Sequence, residues 1–181
     1  YTYDKSGHKS EIADGITITR DNDNPVTNAP TISSGTQGET GYYRSNVTVR
    51  INGGSDATSP VKDEMKYSIT GTATKAGTVA GQNVSINQAV NIQKVAITKN
   101  GTFEITADGS WNVTAYTYDY SGRESAASTA LVFTKDTVGP SISSFEQTAQ
   151  NDNDLTMSVS ASDSLSGLAS SGTYTFYIDG T

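Results

Sequence analysis

The chain says nearly the same thing twice. "YTYDKSGHKS" at residues 1–10 returns as "YTYDYSGRES" at 116–125, with Tyr1 answering Tyr116, Asp4 answering Asp119, Gly7 answering Gly122 and Ser10 answering Ser125, each 115 residues on. The same offset carries Ile16 to Leu131, Ile18 to Phe133, Arg20 to Lys135 and Asp21 to Asp136. "NAPTISS" at 28–34 then answers "VGPSISS" at 138–144 at an offset of 110, because the first copy reads "DNDNPVTNAP" where the second reads "DTVGP". "SDATSPV" from Ser55 and "SDSLSGL" from Ser162 continue the pattern. A period near 110 residues is too long for a solenoid repeat and is the size of a whole β-sandwich domain. The chain therefore reads as three pieces: residues 1–24 as the closing strands of one domain, 29–137 as a complete one and 138–181 as the opening part of a third. Neither end piece is long enough to bury a core alone.

The middle piece alternates with period two. Val47, Val49 and Ile51 are separated by Thr48 and Arg50, and Met65, Tyr67 and Ile69 by Lys66 and Ser68. Phe103 and Ile105, then Trp111, Val113 and Ala115, then Leu131 and Phe133 follow the same rule. Such alternation sends one face to a core and the other to water, the pattern of antiparallel sheets solvated outside. The turn-forming stretches "NGG" at 52–54, "KNG" at 99–101, "ADG" at 107–109 and "YSG" at 120–122 punctuate it. The expectation is an all-β protein with no substantial helix. Its middle piece is an antiparallel two-sheet sandwich of about seven strands, with Trp111 the largest core residue. "YTYDYSG" reads as a strand end running into a tight loop, with Asp119 opening a type I turn and Gly122 taking positive φ.

These residues resemble a family. "GSWNVTAYTYDYSGRES", followed by a strand and "FTKDTVGPSIS", is similar to the last two strands and junction of bacterial immunoglobulin-like domains (Big-type tandem repeats). "GYYRSNVTVRI" and "YSITG" are similar to that family's second and third strands. The resemblance covers the middle piece and both ends. It departs at residues 72–95, "TATKAGTVAGQNVSINQAVNIQKV", a longer mid-domain connection than the pattern requires. It implies tandem immunoglobulin-like sandwiches, one complete and two partial, in an extracellular protein, on the bacterial cell surface or secreted. The implied role is a stalk in an adhesin, with neighbouring domains of the same chain as partners and a host or glycan surface beyond. A carbohydrate-binding accessory module of a secreted glycan-active protein is the alternative.

The bulk chemistry sets exclusions. A net charge of −7 with no compensating Lys/Arg cluster disfavours nucleic acid. No run of 18 apolar residues marks a membrane span. Without cysteine there is no disulfide, thiolate metal site or thiol nucleophile. His8, the sole histidine, stands near Asp4 and Ser6, but the repeat places Arg123 at its counterpart, so the corner does not require imidazole. Asp63 and Glu64 are sequence neighbours and would point to opposite faces of a strand rather than across a cleft. The expectation is therefore a non-enzymatic segment, with no catalytic residue and no required cofactor.

Two further features suit binding. "DNDN" at 21–24 offers closely spaced hard oxygens of the kind Ca²⁺ takes, and the loops carrying Asp56 and Asp119 should crowd that linker. Asp21, Asp23, Asn24, Asp56 and Asp119 form the candidate site, at the first junction and not the second. "NDND" at 151–154 reads instead as a hairpin turn. Tyr116, Tyr118 and Tyr120 are candidate ligand-facing aromatics, because an aromatic face can stack on a sugar or a partner protein. Lysine-to-asparagine crosslinking would need a buried Lys–Asn–acid trio; Lys66 points outward by alternation and no other lysine is singled out.

Overall fold

The computed structural model describes residues 1–175. Its strands are β1 (Val26–Thr27), β2 (Thr31–Ser34), β3 (Tyr42–Tyr43), β4 (Val47–Arg50), β5 (Gly54–Ser55), β6 (Val61–Ala73) and β7 (Gly77–Val79). They continue as β8 (Gln82–Val84), β9 (Ala89–Thr98), β10 (Thr102–Ile105), β11 (Gly109–Asp119), β12 (Leu131–Lys135), β13 (Ser141–Gln150) and β14 (Leu155–Ser162). No helix occurs among the described residues.

Two five-stranded sheets, ordered β2-β4-β10-β7-β8 and β3-β12-β11-β6-β9, enclose one core. All neighbours pair antiparallel except β12 and β3, which run parallel. The alternation predicted above is realised: Val47, Val49, Ile51, Ile69, Ile105, Val113 and Phe133 are buried, and Phe103 and Leu131 pack against them half-buried. Tyr67 on β6 stacks on Phe103 of β10 across the two sheets, with ring centroids 4.5 Å apart.

Trp111 is the largest fully buried side chain. It stands opposite Gly71 on β6 and Phe133 on β12. The glycine makes room for the indole, since a Cβ at residue 71 would fall 2.5 Å from Trp111 Cε3 and 2.3 Å from the Ser110 carbonyl oxygen.

Eleven strands lie within residues 29–137 where about seven are expected. The surplus is four short ones, β3, β5, β7 and β8. Two of these come from residues 72–95, the long mid-domain connection, much of which is strand. β7 and β8 form a hairpin turning on Ala80 (φ 49°) and Gly81 (φ 78°), both left-handed as a two-residue turn of this kind requires. Val79, Val84, Val90 and Ile92 deliver apolar side chains from this stretch to the core.

The ends behave differently. Residues 1–21 make no extended strand, only a turn closed by a bridge between Tyr3 and Lys9, and Ile12, Ile16 and Ile18 are exposed. The closing strands expected there pair with no sheet among the described residues. β13 and β14 pair as a hairpin through the 151–154 turn, where Asn151 Oδ1 accepts from the amides of Asn153 and Asp154. Ile142, Phe145 and Leu155 on this hairpin are exposed.

β11 fixes the long axis of the sandwich. It runs 11 residues from Gly109, beside the 136–140 linker, to Asp119, beside the 21–25 linker. At about 3.3 Å per residue the two linkers are separated by roughly 35 Å.

Candidate functional site

The repeated corner is built bond for bond. Asp119 N donates to Arg123 O (3.1 Å) as Asp4 N donates to His8 O (3.0 Å). Asp119 Oδ1 accepts from Arg123 N (2.8 Å) and Ser121 Oγ (2.8 Å), and Asp4 Oδ1 from His8 N (2.9 Å) and Ser6 Oγ (2.9 Å). Gly122 and Gly7 both sit at φ 92°. The corner therefore needs an acid at its first position and glycine at its fourth, and it tolerates either His8 or Arg123 at the fifth.

At the middle sandwich's N-terminal pole this corner meets two other loops. Asp21 of the linker, Asp56 of the loop after β5 and Asp119 at the end of β11 place one carboxylate oxygen each within 4.8 Å of one another. Each carboxylate is anchored through Oδ1 by its own loop: Asp21 by the amide of Asp23 (3.0 Å), Asp56 by those of Thr58 and Ser59 (2.8 and 2.7 Å), Asp119 by Arg123 and Ser121. Arg123 also donates from its guanidinium to the main-chain oxygen of Asp21 (3.3 Å), and Tyr120 N donates to Pro60 O (3.0 Å), tying the three loops together. Asp21 Oδ2 and Asp119 Oδ2 are buried and accept no hydrogen bond. Burial would raise the Asp119 carboxyl, but the Arg123 amide and the Ser121 hydroxyl outweigh it and hold it below the usual carboxylate range. Of the residues proposed from sequence, the fold thus gathers Asp21, Asp56 and Asp119. Asp23 stays outside the group as an exposed residue whose amide shapes the turn, and Asn24 is exposed beside it.

The opposite pole is organised by a buried ion pair. Lys135 Nζ and Asp108 Oδ1 are 2.6 Å apart with both side chains 2% exposed. Lys135 also donates to Thr106 O (2.8 Å), and Asp108 Oδ2 accepts from Thr137 N (3.1 Å) and Thr137 Oγ1 (2.6 Å). Burial pushes Asp108 up, but the ammonium and the Thr137 bonds more than offset it, so its carboxyl lies below the ordinary range. Beyond this latch, Asp136 Oδ1 accepts from Val138 N (2.9 Å), the same turn Asp21 makes, and Asp136 Oδ2 accepts from Ser166 N (3.1 Å). Glu39 Oε1 accepts from Ser170 N (2.7 Å) and Ser170 Oγ (2.8 Å).

Lys135 is the buried lysine that alternation could have found, because it shares the inward register of Leu131 and Phe133. Its partner is an aspartate held ionised by three donors, and an ionised carboxylate is a poor electrophile for amide formation. Among the described residues no asparagine is hydrogen-bonded to the pair.

The remaining candidates are also placed. Ser6 Oγ and Asp4 Oδ2 both approach Nδ1 of His8, each at 3.2 Å, on an exposed turn. A relay needs the two partners on different ring nitrogens, so this is not triad geometry. Tyr116 and Tyr118 lie half-buried on the outer face of β11 with a lysine over each ring: Lys94 Nζ is 4.8 Å from the Tyr116 centroid and Lys66 Nζ is 4.9 Å from that of Tyr118. Lys94 is itself paired with Glu124. Tyr120 is 70% exposed at the corner tip. The three rings do not form one open platform.

Against known protein families, curated proteins and solved structures, the chain shows no significant match. No helix among the described residues is long and apolar enough to cross a membrane.

Proposed function

We propose that this chain is a non-enzymatic, semi-rigid spacer: a segment of tandem immunoglobulin-like sandwiches in a bacterial surface protein of the adhesin type, outside the cell, holding a distal functional domain away from its anchor. The observation that carries the reading is the placement of the two linkers. They leave the middle sandwich from opposite ends of β11, roughly 35 Å apart, so successive units extend rather than fold back. The bond-for-bond repeat of the Asp4 and Asp119 corners supports a unit that recurs along the chain. The short "DTVGP" linker limits bending at the second junction, because Pro140 fixes its own φ and biases Gly139 toward extension, whereas the first linker is five residues longer and bends more unless contacts from Asp119 and Tyr120 hold it. A net charge of −7 suits a long solvated rod. The lysines over Tyr116 and Tyr118 weigh against a sugar-binding platform as the primary role.

Small-angle scattering on the 181-residue chain tests the reading. The expected result is an elongated particle whose longest dimension clearly exceeds the roughly 40 Å of one sandwich. A compact profile, or turnover of a glycan or peptide substrate by the segment, would overturn it.

A further inference from the structure

We propose that Asp21, Asp56 and Asp119 form a calcium site that fastens the linker at residues 21–25 to the pole of the middle sandwich. This goes beyond the spacer reading and does not rest on it. Three carboxylates from three separate loops converge with one oxygen each inside 4.8 Å, and among the described residues none of them makes an ion pair. Like charges gathered this closely repel one another unless something between them compensates. Acid clusters are common on surfaces, but this one is set apart by what it leaves unbonded. Four buried polar side-chain atoms lack a hydrogen-bond partner among the described residues, and two of them, Asp21 Oδ2 and Asp119 Oδ2, belong to this trio. Asp119 is 0% exposed, so no bulk water reaches its free oxygen.

The carboxylates are also preorganised. Every Oδ1 is held by amides or a hydroxyl of its own loop, which leaves the other oxygen of each group as the one available to a ligand. An anion cannot be that ligand. The chain has no cysteine, and its sole histidine, His8, is engaged with Asp4, so an oxygen-only site for a hard cation is what remains. Ca²⁺ takes carboxylates, main-chain oxygens and water in a flexible shell, whereas Mg²⁺ demands a near-ideal octahedron and keeps most of its waters. Three carboxylates brought together from separate loops suit the larger ion.

Titration calorimetry and thermal unfolding of the 181-residue chain with CaCl₂, and separately with MgCl₂, test the site. One Ca²⁺ should bind per chain and raise the unfolding midpoint, with Mg²⁺ at least tenfold weaker. Asp119 also builds the corner, so Asp119→Asn could fail through misfolding alone. Asp21→Asn is the informative variant, because its residue lies on the linker outside the core. It should bind at least tenfold more weakly while unfolding normally without calcium, and Asp56→Asn should do likewise. Asp23→Asn and Asp163→Asn should bind as the unaltered chain does. No uptake by the unaltered chain, equal uptake of the two metals, full-strength binding by Asp21→Asn, or a loss in Asp163→Asn matching that in Asp21→Asn would each overturn the assignment.

Discussion

The two junctions of this chain use the same parts to different ends. Both begin with a linker aspartate turned by an amide two residues on, Asp21 by Asp23 and Asp136 by Val138. Both face a loop aspartate that caps its own backbone, Asp56 in one case and Asp163 in the other. At the second junction the free oxygen of the linker aspartate is satisfied by protein, since Asp136 Oδ2 accepts from Ser166 N. At the first it is not, and Asp119 adds a second unsatisfied oxygen beside it. A buried acceptor without a donor is costly, so each one calls for an explanation. One motif thus makes a joint satisfied by protein at the second junction and leaves an open oxygen at the first, and the donor opposite Oδ2 makes the difference.

The largest expected effect comes from breaking the latch at the second pole. Lys135→Met should destabilise the middle sandwich by about 3–5 kcal/mol, because it leaves the Asp108 charge buried without its counter-ion. Urea unfolding measures this. Trp111→Ala should cost about the same, about 3–5 kcal/mol, through the cavity it leaves. The two variants separate at Asp108. Lys135→Met leaves that carboxylate to the Thr137 amide and hydroxyl without its counter-ion, whereas Trp111→Ala leaves the ion pair in place. A Lys135→Met protein as stable as the unaltered chain would mean that the buried pair is not what holds this pole.

Acid sharpens the contrast by a smaller amount. Asp108 has a depressed carboxyl despite its burial, and so does Asp163, where the Leu165 and Ser166 amides more than offset burial. A depressed folded pKa contributes stability that is complete above the ordinary carboxylate value and drains away as pH falls through the folded value. Stability should therefore be level through neutrality and fall only in strong acid. In Lys135→Met the Asp108 carboxyl loses the ammonium that lowers it, so the acid slope should be shallower. Equal slopes in the two proteins would remove Lys135 from the account.

The same contrast shows what can be read from a sequence of this kind. Strand alternation from Val47 to Phe133 and the corner at Asp119 are local properties of side-chain period and turn chemistry, and both are legible. So is the crowding of Asp56 and Asp119 on the Asp21 linker, since it follows from which strand ends meet at one pole. Asp23 was the misleading residue. Spacing alone makes it as good a candidate ligand as Asp21, but its amide is spent on Asp21 in the turn and its side chain is exposed. The β7–β8 hairpin is hidden because Ala80 takes the position where Asn or Asp would announce such a turn. Lys135 obeys the alternation rule, but its charge argues against the inward face until Asp108 is seen opposite it. Asp108 in turn reads as ordinary turn chemistry in "ADG". The bonds from Glu39 to Ser170 join residues 131 apart and leave no trace in either local pattern.

Those bonds give the smallest and most selective test. Glu39 lies outside the core and far from both pole carboxylates in sequence, on the loop before β3. It is hydrogen-bonded to the third piece through Ser170, accepting from both its amide and its hydroxyl. Glu39→Ala should therefore leave the unfolding of the middle sandwich unchanged while loosening the dock between the two pieces. Hydrogen bonds of this kind contribute about 0.5–1.5 kcal/mol, so the open form of the dock should become roughly two- to tenfold more populated. Amide exchange reads this directly. Ser166 and Ser170, whose amides are held by Asp136 and Glu39, should exchange faster by that factor. Thr58 and Ser59 are held by Asp56 at the other pole and should not change. If all four amides accelerate together, the junctions are coupled through the sandwich and are not independent joints. If none does, Asp136 alone holds the second junction, and Glu39 is a surface contact without mechanical consequence.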